Sequence, residues 1–337
     1  MLPTLADIKP QLHSGDLLLV VADNCTDNTA AVAAAAGADV VERNDPTRKG
    51  KGYALAFGLH KLGLDPPSVV IVIDADCRVG EATIERLAAA CVSSQRPAQA
   101  LNLMVAPDEA STNYRVAEFA WRVKNWARPL GLKALGLSCQ LMGTGMAFPW
   151  TLIASVDLAS GSIVEDLKLG LDLALAGAPA QFCPAARVTS TFPLTAEGAQ
   201  SQRRRWEQGH IGVVLGALPR LLVLSIGRTN WQAFALALDA LVPPLALLAL
   251  LIIAMTVLAG SAILFGGSPI AFFVCLGSGT AFVAAVLLCW WKYGRDILTL
   301  RDIVLILFYV AGKAPLYRQL LSRKRDSQWV RTDRRKF

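Results

Sequence analysis

Residues 234–259 and 270–291 form two long apolar stretches, each able at about 1.5 Å per residue to cross the roughly 30 Å hydrocarbon core of a bilayer. A chain carrying both is expected to place part of itself in lipid. Composition agrees: 54% hydrophobic against 18% charged residues is oilier than a soluble protein of 337 residues and far from disordered. Asp239, Pro243 and Pro244 interrupt the first stretch and are expected to face protein rather than lipid. A third apolar segment, 303–320, is shorter and carries Lys313 and Pro315, which suits a re-entrant or interfacial segment better than a full crossing.

The net charge of +7 is concentrated at the C-terminus, where Arg318, Arg323, Lys324, Arg325, Arg331, Arg334, Arg335 and Lys336 crowd together. That run follows an apolar segment and has only Trp329 for stacking, so it points to anionic lipid headgroups and not to nucleic acid. Seven cysteines with no Cys-x-x-Cys spacing exclude a disulfide framework and a zinc site, and are expected to be reduced thiols. The three histidines are too scattered for metal ligation, and no signal peptide is expected ahead of Met1.

Before these stretches, residues 17–21 and 69–73 are runs of Leu, Val and Ile bounded by polar turns, the pattern of strands buried on both faces. Residues 30–36 and 53–62 read as helices between and after them, so the order predicts βαβ units, a parallel sheet and ligands at the carboxyl ends of the strands. The division of the chain is expected at 1–228 for an α/β domain, 229–322 for membrane-associated helices and 323–337 for a basic tail.

Several segments carry possible chemistry, each with a plain structural alternative. Asp74-Ala75-Asp76 follows an apolar strand and presents two hard oxygen ligands for Mg²⁺ or Mn²⁺, with a diphosphate to complete the shell; the same pattern is common in solvated turns. The segment 23–29, from Asp23 through Asp27 to Thr29, could hydrogen-bond a nucleotide base or ribose, or simply cap the following helix. Arg48-Lys49-Gly50-Lys51-Gly52 combines cations with glycines that allow close phosphate approach, without P-loop spacing; its alternative is a solvated loop. Gly143-Thr144-Gly145 is a turn with room for substrate. Glu165-Asp166 opens a helix, where acidic residues are favoured in any case. Gln202-Arg203-Arg204-Arg205-Trp206 runs into an apolar segment, as an interfacial helix over about 200–226 would.

In this order the segments resemble the membrane-bound family 2 glycosyltransferases of the GT-A fold, the group containing cellulose, hyaluronan and chitin synthases and bacterial exopolysaccharide glycosyltransferases. The resemblance covers nearly the whole chain. It implies a Rossmann-like α/β nucleotide-diphospho-sugar transferase domain followed by transmembrane helices, in a multi-pass protein of the inner membrane with a cytoplasmic catalytic domain. It assigns Asp23 to the uridine of a UDP-sugar and Lys51 to the donor. Asp74 and Asp76 would hold the metal and diphosphate, Asp76 more directly. Asp166 falls at the general base, supported by Glu165; Arg205 would stabilise the leaving diphosphate. Gly143, Thr144, Gln202 and Trp206 would serve the acceptor. The reaction implied is inverting transfer of a hexose or N-acetylhexosamine to a glycan or lipid-linked acceptor, with membrane lipid and polysaccharide-export proteins as further partners.

One departure from the family is the start. The chain enters at Met1 into what reads as the helix after the family's first strand, so that strand and its nucleotide-contacting turn are expected to be missing. Two rivals stand beside the main reading: a transferase to a polyprenyl phosphate, which commonly lacks Gln-x-x-Arg-Trp, and a non-catalytic membrane assembly component.

Overall fold

The computed structural model describes residues 1–108, 110–159, 165–193, 195–216 and 218–302. In chain order it begins with α1 (Leu2–Ile8), β1 (Leu19–Asp23), α2 (Thr29–Ala35), β2 (Asp39–Arg43), α3 (Lys51–Leu62), β3 (Val69–Val72), β4 (Arg78–Val79) and α4 (Thr83–Ser94). It continues with β5 (Ala98–Val105), α5 (Thr112–Arg122), α6 (Arg128–Ala134), β6 (Met146–Pro149), α7 (Trp150–Ile153), α8 (Glu165–Leu175) and β7 (Gln181–Thr191). Helices α9 (Ala196–Gly216), α10 (Leu218–Gly227), α11 (Trp231–Leu241), α12 (Leu245–Leu264) and α13 (Ile270–Tyr293) complete the described chain. The described residues divide into two compact units, the first formed by Met1–Met104 and Arg128–Leu241, the second by Val105–Ala127 and the described residues from Val242 to Asp302.

The first unit is α/β. β1 and β2 form a parallel pair in the register Leu19↔Asp39 to Asp23↔Arg43, and a second sheet runs in the order β3-β6-β5-β7-β4. The expected parallel sheet therefore holds for β1 and β2 only: β3/β6, β5/β6 and β4/β7 are antiparallel, because the later strands do not arrive through βαβ crossovers. Nor are the two apolar runs buried on both faces. All four residues of β3 and most of β1 are half-buried, whereas β5 and β6 are almost fully buried. Among the described residues β1 pairs only with β2 and β3 only with β6, so each keeps an edge with no neighbouring strand.

The centre of the unit lies on β5 and β6. There Ala98, Ala100, Ala147 and Val188 pack against Leu87 and Cys91 of α4, small residues letting the helix approach the sheet. A second cluster joins Leu167, Leu171 and Ala174 of α8 to Leu218 and Leu221 of α10 and to Ala233, Leu236, Ala237 and Ala240 of α11. Each buried leucine in such a cluster contributes roughly 1.5–3 kcal/mol, so α8, which begins at Glu165, has a firm base.

That packing corrects the first apolar stretch. Residues 234–259 are not one span: α11 belongs to the first unit, and Pro244 caps the separate helix α12. Asp239 is half-buried in the first unit, accepting from Arg128 Nε at 2.5 Å and from Gln140 Nε2 at 2.6 Å. The compact first unit accordingly runs to Leu241, past the boundary expected near Thr229.

The second unit is helical. α12 and α13 have 20 and 24 residues and mean hydropathies of 2.6 and 2.2, long and apolar enough to cross a membrane. Gly260 meets Phe272 and Gly279 meets Ile252, a pairing that runs the two helices in opposite directions. Val116 and Phe119 of α5 cluster with Leu298 and with Val286, Cys289 and Trp290. Arg122 binds Glu118 and Asp296, each at 2.7 Å, and Trp126 packs against Tyr293 in a tilted arrangement with ring centroids 5.0 Å apart. The third apolar segment, 303–320, and the basic tail, 323–337, lie outside the described residues.

Candidate active site

The apolar β3 ends at Val72 and delivers Asp74, whose backbone N–H donates to Thr144 Oγ1 at 3.0 Å. The chain then turns, Cys77 N–H returning to the Asp74 carbonyl at 3.1 Å, so that Asp74, Asp76 and Cys77 present ligand atoms within 4.8 Å of one another. Burial pushes the Cys77 thiol up to about 11, and it stays protonated at neutral pH. The usable donors are thus the carboxylate oxygens of Asp74 and Asp76. Hard oxygen ligands of this kind fit Mg²⁺ or Mn²⁺.

Lys51 opens α3 after Gly50, whose φ of 138° suits glycine. Its ammonium donates to the Asp74 carboxylate and to the Gly143 carbonyl, the latter at 2.6 Å. Burial alone would lower the Lys51 pKa; the Asp74 charge foremost, then those of Glu165 and Asp166, outweigh it and raise the value. Three segments far apart in sequence therefore act on one ammonium group.

The turn Gly143-Thr144-Gly145 is held from below by β5. Gln99, fully buried, accepts from Met142 N–H at 2.8 Å and donates to the Thr144 carbonyl at 3.0 Å, while Asn102 donates to the Met142 carbonyl at 3.0 Å. Both glycines are required. A Cβ on Gly145 would stand 2.9 Å from Ala100 Cβ and 2.9 Å from Val188 Cγ2, and one on Gly143 would stand 3.3 Å from Asp166 Oδ2 and 3.9 Å from Lys51 Nζ. Both also have positive φ, 84° and 64°. Gly143 thus marks the point where Lys51 and Asp166 approach each other.

Glu165 and Asp166 begin α8, where the helix dipole favours negative charge. Asp166 Oδ1 accepts from Leu167 N–H at 2.8 Å, so the capping role and the position in the cluster coexist. Glu165 is pushed up to about 7, by burial first and by the charge of Asp166 second. Near neutral pH it therefore carries less charge than an ordinary glutamate.

Asp23 stands at the end of β1. It accepts from Arg43 Nη1 at 2.6 Å and from Asn24 Nδ2 at 3.0 Å, and Arg43 also reaches Asp45 at 3.1 Å and lies 5.5 Å from the Tyr53 ring centre. Its described partners are these, not the Lys51 cluster. The capping alternative for this segment falls to Asp27, whose carboxylate accepts from Thr29 N–H at 3.1 Å. Gln202 and Trp206 lie on α9, Gln202 buried and Trp206 half-buried; the Arg205 side chain is outside the described ones. Gln99, Asn102 and Arg43 were not singled out by sequence. Polar residues inside the apolar strand Ala98–Val105 are the signal that would have found the first two.

A family model described as "Glycosyltransferase like family 2" matches residues 1–209, and the chain belongs to that family. Its α/β unit has the GT-A type of fold. Similar solved structures include a mannosyltransferase from Pyrobaculum calidifontis in complex with GDP-Man and Mn²⁺, 18% identical, covering 86% of this chain and 83% of that one at a TM-score of 0.46. Another is glucosyl-3-phosphoglycerate synthase from Mycobacterium tuberculosis with Mn²⁺, UDP-glucose and phosphoglyceric acid, 21% identical, covering 62% and 74% at 0.40. A third is GalNAc-T7 with UDP, GalNAc and Mn²⁺, 12% identical, covering 71% and 53% at 0.43. No curated protein matches the chain.

Proposed function

We propose that this protein is an inverting, divalent-cation-dependent glycosyltransferase that moves a hexose or N-acetylhexosamine from a UDP-sugar to a lipid-linked or polysaccharide acceptor at the bacterial inner membrane. The observation that carries this reading is the convergence of Lys51, Asp74, Gly143, Glu165 and Asp166 around one ammonium, with Asp76 beside Asp74.

Asp74 and Asp76 would hold Mg²⁺ or Mn²⁺, which neutralises charge on a departing diphosphate. Lys51 adds a fixed positive charge on the donor side. Asp166 takes the proton from the acceptor hydroxyl as that oxygen attacks the anomeric carbon, and UDP leaves from the opposite face. Glu165, whose carboxyl burial pushes up to about 7, carries less negative charge beside Asp166 than an ordinary carboxylate would. Gly143 and Thr144 leave room for the acceptor beside Asp166, with Gln202 and Trp206 offering an amide and an aromatic face. Arg205 meets the developing phosphate charge, and Asp23, braced by Arg43, reaches for uracil.

The membrane location is supported by the hairpin of α12 and α13. Residues 240–291 contain no charged side chain, and Lys292 and Arg295 follow at the end of α13 among Trp290, Trp291 and Tyr293. Cations and aromatics at one end of a hairpin suit a cytoplasmic interface. The catalytic domain, with α9 and α10 over the stretch expected to be interfacial, would then be cytoplasmic, 242–322 membrane-associated and 323–337 a tail on anionic lipid. Polysaccharide-export proteins are the expected neighbours.

Membranes containing the protein, supplied with Mn²⁺ and a panel of radiolabelled nucleotide sugars, test the assignment. Label is expected to pass from one UDP-sugar into lipid or polymer. Consumption of no donor in the panel would leave the assembly-component alternative standing and overturn this reading.

A further inference from the structure

Building on that reading, we infer that Lys51 is a resident counter-cation for Asp74, which the divalent ion must displace, so that metal loading frees the ammonium for the donor's pyrophosphate. The ammonium now occupies the same carboxylate that the cation would need. Two positive charges on one carboxylate repel each other, and the divalent ion, with Asp76 as a second ligand, has the stronger claim.

Lys51 has somewhere to go. Its second anchor, the Gly143 carbonyl, does not depend on Asp74, and the absence of a Cβ on Gly143 lets the Asp166 carboxylate lie on the same side as the ammonium, Asp166 Oδ2 standing 3.3 Å and Lys51 Nζ 3.9 Å from where that Cβ would be. Lysine is a point charge on a flexible stem, suited to swinging between partners in a way that the rigid arginine fork is not. Leaving Asp74 does not strand the charge, because Glu165 and Asp166 also attract it. An incoming pyrophosphate then meets a metal and a released ammonium together, so metal and nucleotide bind with positive coupling through this one side chain.

Calorimetric titration of the full-length protein in detergent, with Mn²⁺ alone and then with UDP present, tests this in the wild type, Lys51→Gln and Lys51→Arg. Glutamine keeps a donor for the Gly143 carbonyl but carries no charge. The wild type is expected to bind Mn²⁺ weakly alone and far more tightly with UDP. Lys51→Gln should bind Mn²⁺ alone at least roughly fivefold more tightly than the wild type, with a smaller gain from UDP, the low end of ordinary coupling; Lys51→Arg, which keeps the charge on a stiffer fork, should bind Mn²⁺ alone no more tightly than the wild type and gain less from UDP. Equal or weaker Mn²⁺ binding by folded Lys51→Gln would overturn the inference, whereas no Mn²⁺ binding by any of the proteins would instead remove the metal site itself. Should the variant not fold, a wild-type structure with Mn²⁺ and UDP decides: Lys51 withdrawn from Asp74 supports displacement, and Lys51 still on Asp74 refutes it.

Discussion

Replacing Glu165 by glutamine should make the metal-free protein more stable at pH 8 and leave it unchanged near pH 4.5. The folded protein holds this carboxyl at about 7 against an ordinary 4.5, because burial and the neighbouring Asp166 penalise its charge. Between those two values the folded chain keeps a proton that the unfolded chain has lost, so stability falls as pH rises through that window and the full deficit stands above it. At about 1.4 kcal/mol per tenfold in proton affinity, the deficit is ~3 kcal/mol. Glutamine keeps the shape and never ionises, and so removes the deficit. For a unit of this size ~3 kcal/mol corresponds to a melting shift on the order of 5–10 °C. Thermal unfolding in detergent with EDTA, at pH 4.5 and pH 8, measures it. A variant that melts at or below the wild type at pH 8 would refute the electrostatic account of Glu165.

Other substitutions probe the supports of the site. Gly143→Ala should lower turnover by roughly tenfold or more at a stability cost of ~1–2 kcal/mol, since the new methyl enters the space beside Asp166 in a backbone conformation that disfavours side chains; initial rates and melting separate the two effects. Gln99→Leu should cost ~1–3 kcal/mol by leaving the Met142 N–H and Thr144 carbonyl without their buried partner, and should also weaken Mn²⁺ binding as the turn loosens; denaturant melts and metal titration report each. Asp239→Asn should destabilise the first unit, by roughly 1–3 kcal/mol, because Arg128 loses its counter-charge; limited proteolysis between α11 and α12 should accelerate. An unchanged cleavage rate would mean that Asp239 does not hold α11 in place.

Much of this architecture was legible in the sequence where a local pattern carries the information. The apolar run at 69–73 with acidic residues after it marked the strand and the acidic turn that follows it, and Glu165-Asp166 marked the start of α8. Patterns that depend on tertiary packing were misread. The stretch 234–259 reads as a single span by hydropathy, yet α11 buries its apolar face against α8 and α10, and Asp239 answers Arg128, a residue more than a hundred positions earlier. Segment 105–127 gave no sign of leaving the first unit, because the partners of Phe119 and Arg122 lie near Leu298 and Asp296. Sheet direction was misjudged for the same reason: local periodicity finds a strand but not its neighbour. Arg43 became visible only through the parallel register that places it opposite Asp23.

The central claim is that the Lys51–Asp74–Asp166 cluster is where a sugar leaves UDP. UDP release from the donor found in the panel, measured with acceptor membranes in Mn²⁺ and in EDTA for the wild type and Asp166→Asn, tests it most directly. Release is expected from the wild type in Mn²⁺, to stop in EDTA, and to be abolished in Asp166→Asn although that variant still binds UDP with Mn²⁺. Turnover by Asp166→Asn near the wild-type rate, or release undiminished by EDTA, would contradict it.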